Sequence, residues 1–258
     1  MNSDSQMVRR LLVTADMESY SLKSVIAQRN AQQVFVDLLG RAITDSGLDY
    51  TQWMSQQSGD GKLAILPAGT VEPVVVGPMV NRLDGMLRKH NQDLNANARV
   101  RVRVAIHEGP VYLDGANGFP STAVNDVCRL GDAPVLKDAL AAYPDAGVAL
   151  IVSGRIYDDV VAQGFDGIRA DRFRNVTVVA KHDRTLDAWI SVIDEDITNL
   201  VDMTNCEPTR SNRGRSSSAG SQASASSPGK YHFGEINSSG PLAIGDGSSA
   251  HNYGRGVK

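Results

Sequence analysis

An α+β sandwich is the fold class this sequence predicts, and three observations predict it. Residues 99–106, RVRVRVAI, alternate β-branched and polar side chains, which puts Val100, Val102, Val104 and Ile106 on one face of a strand and Arg101, Arg103 and Ala105 on the other. Gly59-Asp60-Gly61 separates two apolar stretches with the residue types of a tight hairpin turn. Segments of helical period, 25–46 and 73–95, alternate with the strand patterns.

Taken in order, residues 10–15 are a short apolar run closed by Asp16, the pattern of a buried strand. Residues 17–21 form a tight loop, and Ser24 is placed to cap the helix that follows. Val25, Gln28, Gln32, Phe35, Val36, Leu39 and Ile43 mark that helix to about Ser46, with Gly47 where a C-terminal glycine belongs. Residues 50–58 and 62–66 are the arms of the hairpin around Asp60. The segment 73–95 is an amphipathic helix with Val76, Met79, Val80, Leu83, Leu87 and Leu94 inside. After the 99–106 strand comes a turn-rich insert, 114–120, and then a helix on which Val124, Val127 and Cys128 recur at helical spacing. Asn125 and Arg129 are four apart on this helix, so an amide and a guanidinium lie one above the other, a pairing that suits a polyanion or a phosphoryl transition state. Residues 134–142 make a further helix, 148–153 a strand, 154–162 a helix, and 173–180 with 188–192 a last strand pair around a turn at 182–185. The order β-α-β-β-α-β-α-β-α-β-β is that of a ferredoxin-like βαββαβ sandwich with additions at its end.

The 258 residues are 41% hydrophobic and 21% charged, enough for one domain with a sizeable core and something extra. The net charge of −3 gives no electrostatic case for nucleic acid. No apolar run is long enough to span a membrane, and the first ten residues lack the apolar core of a signal peptide. Cys128 and Cys206 form no metal-ligand or redox pattern, which points to a reduced, cytoplasmic setting. Residues 207–230 are a serine-, alanine- and glycine-rich low-complexity stretch, read as a flexible, disordered linker. Residues 231–258 regain apolar side chains at Tyr231, Phe233, Ile236, Leu242, Ile244 and Tyr253.

The segment RVRVAIHEGPV…STAVNDVCRL resembles the R-V-G-I-H-x-G-x-V…G-x-x-V-N-x-A-x-R-L segment of class III nucleotidyl cyclase catalytic domains. LLVTADMESYS (11–21) is similar to that family's first strand and phosphate loop, and QSGDGKLAILP (57–67) to its metal-binding hairpin. The resemblance covers residues 8–193, and the cyclase domain is expected over 8–200.

The resemblance implies the chemistry of the site. Asp16, Met17 and Asp60 match the family's metal positions, where two divalent cations (Mn²⁺ or Mg²⁺) are held by carboxylate oxygen. The backbone of Met17, Glu18, Ser19, Tyr20 and Ser21 matches the phosphate loop. Asn125 and Arg129 match the residues that orient the ribose and stabilise charge on the transferring phosphoryl group, contributed in the family by the partner subunit. One chain carries both sets, so the resemblance implies a homodimer with two composite sites and a nucleoside triphosphate substrate. Lys181 falls near the family's triphosphate lysine, with a solvated turn lysine as the equal alternative.

Purine cyclases choose their base with lysine and aspartate, or with glutamate and cysteine, at two positions. Here the first falls at Gln56, or at Trp53 if the register slips, and the second at Gly118–Phe119. Neither purine pair is present. A carboxamide at Gln56 can read a uracil or cytosine edge, and a bulky Trp53 or Phe119 would narrow the pocket to pyrimidine size. This resembles the pyrimidine cyclases of bacterial Pycsar antiphage systems, which implies cyclic UMP, or less favourably cyclic CMP, acting on a separate cyclic-nucleotide-activated effector. The alternatives are an ordinary adenylyl or guanylyl cyclase and a non-catalytic dimerising module that works through its tail. Within that tail, residues 236–252 resemble short RHIM-like amyloid-signalling motifs.

Overall fold

The computed structural model describes residues 6–116, 118–179 and 184–198. These belong to the first of two units into which the chain divides, Met1–Thr209; the second, Arg210–Lys258, lies outside the described residues, as do the linker and the RHIM-like motif expected there.

A seven-stranded sheet organises the unit: β1 (Val8–Met17), β2 (Met54–Ser58), β3 (Gly61–Ile65), β4 (Val102–Val111), β5 (Val148–Ser153), β6 (Arg174–Val179) and β7 (Thr185–Val192), in the spatial order β2-β3-β1-β4-β5-β7-β6. The first four strands in that order are the ferredoxin-like core. Only β4 and β5 run parallel; the other neighbours are antiparallel. Parallel neighbours need a long crossover. Here it is built from α4 (Thr122–Gly131) and α5 (Pro134–Ala142).

Alternation along the strands sends side chains to two cores. Leu11, Val13, Ala15 and Met17 of β1 join Val102, Val104 and Ile106 of β4 on one face, under Phe35, Leu39 and Ile43 of α1 (Val25–Asp45) and Leu83 and Leu87 of α3 (Val80–Asn91). Leu12 of β1, Ala105 of β4, and Ala149 and Ile151 of β5 point the other way, against Val127 and Leu130 of α4 and Leu136 and Leu140 of α5. The strand expected at 99–106 starts at Val102, alternates from there as its sequence predicts, and runs on to Val111 because β1 pairs with it along its whole length. Ser24 caps α1, its hydroxyl accepting from the Ala27 N–H at 3.3 Å.

Four elements differ from expectation, each for a local reason. The stretch before β2 is a 3₁₀ turn, Tyr50–Gln52, because the Asp49 carboxylate accepts from the Thr51 N–H at 3.0 Å and the Gln52 side chain at 2.7 Å, a local alternative to strand pairing. The helix expected over 73–95 begins as α2 (Glu72–Val74) and widens into a π-helical segment, Val75–Met79, around Pro78, which has no N–H to give. It ends at Asn91, whose side chain accepts from the Val100 N–H and donates to the Val100 carbonyl, turning the chain toward β4. The helix at 154–162 is a short turn, α6 (Gly154–Ile156), followed by a π-helical turn, Tyr157–Val161. In the last hairpin β7 starts at Thr185 rather than 188, and residues 180–183 lie outside the described residues.

Candidate active site

Asp16 is the penultimate residue of β1, with its side chain on the α4 face of the sheet. In register it stands opposite Gly61 of β3 on one side and Arg103 of β4 on the other. Asp60 sits in the turn between β2 and β3, and that turn is fastened to β1 by the Met17 N–H, which donates to the Asp60 carbonyl at 2.9 Å. Gly61 makes the close approach possible: a Cβ there would stand 3.0 Å from the Ala15 carbonyl oxygen and 3.4 Å from Asp16 Cα. Sequence alone offered two aspartates 44 positions apart; the β1–β3 register brings both to one cleft of about 390 Å³, lined also by Thr14, Arg103, Cys128 and Asp132.

Burial raises the Asp16 carboxyl above its ordinary 3.8; the Arg103 guanidinium pulls it down, and the Asp60 charge pushes it up again. Arg103 donates directly to Asp16 Oδ2. A half-buried carboxylate beside a second one is a place that gains from a cation. The donors are hard oxygen, which fits Mg²⁺ or Mn²⁺, and Mg²⁺ sites commonly use one or two carboxylates and complete their shell with substrate phosphates and water. Among the described residues no group of three or more His, Cys, Asp or Glu side chains is arranged to hold a metal. A metal at this cleft would therefore rest on the two aspartates and backbone or substrate oxygen.

The loop after β1 divides its amides. Those of Met17 and Glu18 are taken, by the Asp60 and Arg101 carbonyls, each at 2.9 Å. The phosphate-loop expectation thus narrows to Ser19, Tyr20 and Ser21, where the chain turns through Ser19 (φ 53°) into a 3₁₀ turn, Tyr20–Leu22. The Met17 side chain is core, Tyr20 packs against that core, and the Glu18 carboxylate lies 3.4 Å from the Arg101 guanidinium.

α4 is seated hard on the sheet. A Cβ at Gly109 would meet Ala123 Cβ at 2.5 Å, and one at Gly131 would meet Thr14 Oγ1 at 2.9 Å. Its N-terminus is capped by Ser121, whose hydroxyl accepts from the Ala123 N–H at 2.9 Å. So held, the helix exposes Asn125 and half-exposes Arg129. Neither lines the Asp16/Asp60 cleft. Lys181 lies outside the described residues.

The base-pocket candidates separate cleanly. Gln56 and Gly118 meet: a Cβ on Gly118, whose φ is +95°, would stand 3.1 Å from Gln56 Oε1. Trp53 does not join them. It is 9% exposed, packs in the α1 core, and meets Tyr50 edge-on at 5.7 Å between ring centroids. Phe119 packs against the α4 core. The Trp53 ring is thus held in the core, while Phe119 stays half-buried.

Three residues around this site were not singled out from sequence. Arg103 was read only as an outward strand residue; its partner emerges from the β1–β4 register. Asp126 and Arg184 meet across 58 residues of chain. A charged residue among the apolar positions of α4 (Ala123, Val127, Leu130) was the available clue.

No family model matches this sequence, and no curated protein matches it. Solved structures do match the fold. An adenylate/guanylate cyclase/hydrolase from Silicibacter pomeroyi is 19% identical, covering 74% of this chain and 99% of its own, with a TM-score of 0.54. A guanylyl cyclase is 16% identical over 72% of this chain and 93% of its own, TM-score 0.51. A bacterial light-regulated adenylyl cyclase is 15% identical over 77% and 99%, TM-score 0.50. At these identities the likeness is one of fold: the described unit has the fold of adenylyl and guanylyl cyclase catalytic domains. No helix among the described residues is long and apolar enough to cross a membrane.

Proposed function

We propose that this chain is a nucleotidyl cyclase that works as a homodimer and takes a pyrimidine nucleoside triphosphate, UTP ahead of CTP. The observation that carries the reading is the pairing of Asp16 and Asp60 in one cleft of a sheet with the cyclase fold, while Asn125 and Arg129 project elsewhere from the same chain. A head-to-tail pair of chains would bring each acid pair to its partner's amide and guanidinium, making two equal sites.

The reaction is an in-line displacement: the ribose 3′-oxygen attacks the α-phosphorus, diphosphate leaves, and the hydroxyl proton is released. Asp16 and Asp60, with the Met17 backbone, would hold divalent cations, which would supply neutralisation of the triphosphate and a lowered 3′-hydroxyl pKa. The amides of Ser19, Tyr20 and Ser21 receive phosphate oxygens at the loop. Asn125 orients the ribose, and Arg129 meets the charge that grows on the transferring phosphoryl group. Gln56 offers both a donor and an acceptor to the base, and Gly118 keeps the space in front of its carboxamide open. An adenylyl- or guanylyl-type lysine or acid is absent at both positions. With the sequence resemblance, this supports a cyclic pyrimidine messenger for a separate effector in antiphage defence.

The test is direct. Pure protein is incubated with each of ATP, GTP, CTP and UTP in Mn²⁺, and the products are separated by mass. Cyclic UMP or cyclic CMP as the main product is the expected result; a cyclic purine ends the pyrimidine reading, and no product from any nucleotide ends the cyclase reading.

A further inference from the structure

The parallel strand pair opens a second cleft. The chain leaves β4 for α4, which packs on one face of the sheet. It leaves β5 for α6 and the π-helical turn, whose Ile156, Val160 and Val161 enter the core on the other face. Where neighbouring parallel strands send their connections to opposite faces, a crevice opens beyond their carboxyl ends. Here it has about 500 Å³ and shares no residue with the Asp16/Asp60 cleft. Gly154, at the head of α6, lets β7 stand this close: a Cβ there would lie 2.6 Å from Asp187 Oδ2.

The lining of this cleft is rich in unanswered acceptors. Ser153 and Asp126 are 7% and 6% exposed. Ser153 Oγ, Asp126 Oδ1 and His107 Nδ1 are buried without a hydrogen-bond partner, and all three residues line the cleft. Buried polar atoms of this kind call for a partner. Asp126 spends its other oxygen on Arg184. Burial holds the His107 imidazole below its ordinary value, so the ring is neutral at pH 7 and Nδ1 accepts when Nε2 keeps the proton. All three atoms can therefore accept. Asp158, Asp159 and Asp187 add exposed carboxylates. Among the described residues the one charged cation lining the cleft is Arg155, which is drawn to Glu108 at 2.5 Å and lies 3.4 Å from Asp159. Leu130 and Leu186 supply apolar wall.

Acceptors and acids ask for a ligand made of donors and positive charge. A compact cation does not fit, since among the described residues no three His, Cys, Asp or Glu side chains are arranged to hold one metal ion. An ammonium group carries three donors and no acceptor, and a chain with two of them separates its charges. We propose that this cleft binds an aliphatic diamine or polyamine, one ammonium donating to Ser153, Asp126 and His107, the methylene chain lying along Leu130 and Leu186, and a second ammonium held by Asp158, Asp159 and Asp187. The ligand is additional to the nucleotide, and the site does not rest on the cyclase reading.

Calorimetry on the full chain tests the site with 1,4-diaminobutane and spermidine, against 1-aminobutane, 1,4-butanediol and Mg²⁺. The diamine is expected to bind about 5-fold or more tightly than the monoamine, which lacks the second ion pair. The diol has the chain length and no charge, and should not bind measurably. Asp159→Asn and Asp187→Asn should each weaken the diamine about 2- to 5-fold, and Ser153→Ala about 3- to 10-fold. Asp45→Asn removes an exposed acid at the end of α1, outside the cleft, and should leave binding unchanged. A monoamine or Mg²⁺ that binds as tightly as the diamine overturns the spaced-charge site. So does an equal loss in Asp45→Asn, the mark of diffuse attraction to acidic surface, or wild-type binding in both rim variants. Absence of diamine binding at millimolar concentration overturns it outright. Should Ser153→Ala melt early, the Asp159 and Asp187 variants decide the matter, because those side chains are exposed.

Discussion

The composite-site arrangement makes a quantitative prediction. Asp60→Ala removes an acid from the Asp16/Asp60 cleft; Arg129→Ala removes the guanidinium from α4, which does not line that cleft. Each variant alone should lose at least about 10²- to 10³-fold in kcat, the scale on which a single charge-stabilising group acts. Mixed dimers behave differently. One of their two sites combines both substitutions, and the other combines an intact acid pair from one chain with an intact Arg129 from its partner. Equal mixing yields about half mixed dimers, each with one working site of two, so about a quarter of wild-type activity should return. The assay is cyclic nucleotide formation after mixing, with donor- and acceptor-labelled chains reporting exchange by energy transfer. If exchange runs to completion and activity stays at the level of the single variants, the acids and the arginine serve the same chain, and the dimer argument fails.

Three further outcomes are expected. Asp16→Asn should abolish turnover yet melt at or above the wild-type temperature at neutral pH. A carboxyl whose folded pKa is raised contributes stability that is full below the unfolded value of 3.8 and lost as pH rises through the folded one, so the variant's advantage should open as pH climbs past that range; a variant that melts well below wild type at pH 7 contradicts the sign. Mn²⁺ should raise the melting temperature of wild type and not of this variant. Asp84→Ala should cost about 3–5 kcal/mol in urea unfolding, since the buried carboxylate accepts from Gly147 N–H at 2.9 Å, Val148 N–H at 2.8 Å and Arg88 Nε at 2.6 Å; a loss below about 1 kcal/mol would show that water satisfies those groups. Gly118→Val places a branched side chain at φ +95° against Gln56 Oε1, and should raise KM for the nucleotide by about 10-fold or more; an unchanged KM removes Gln56 and Gly118 from the base pocket.

Much of this fold is written locally. The alternation in 99–106, the glycines flanking Asp60, the Ser24 cap and the apolar stripe of α1 each specify an element from a few neighbouring residues, because strand period, turn conformation and capping are short-range physics. The positions of the two acids were legible for the same reason, since each closes or turns a strand within a recognisable run, whereas their pairing as metal ligands is what the resemblance to the cyclase family implies. What sequence left open was decided by register and burial. Gln56 stood first, with Trp53 as the alternative if the register slipped; the core holds the indole and leaves the carboxamide against Gly118. The helix at 73–95 lost its regularity to Pro78 and its end to a side chain that bonds a residue nine positions on. Arg103 gained Asp16 as its cross-strand partner, and Asp126 gained an arginine 58 residues away. Pairings of that kind carry no periodicity, since they depend on which strand lies beside which. Period and turn chemistry thus determined the elements and the residue types at their ends, while only the tertiary structure decided which charges stand together, because contact between distant segments follows from sheet order and packing.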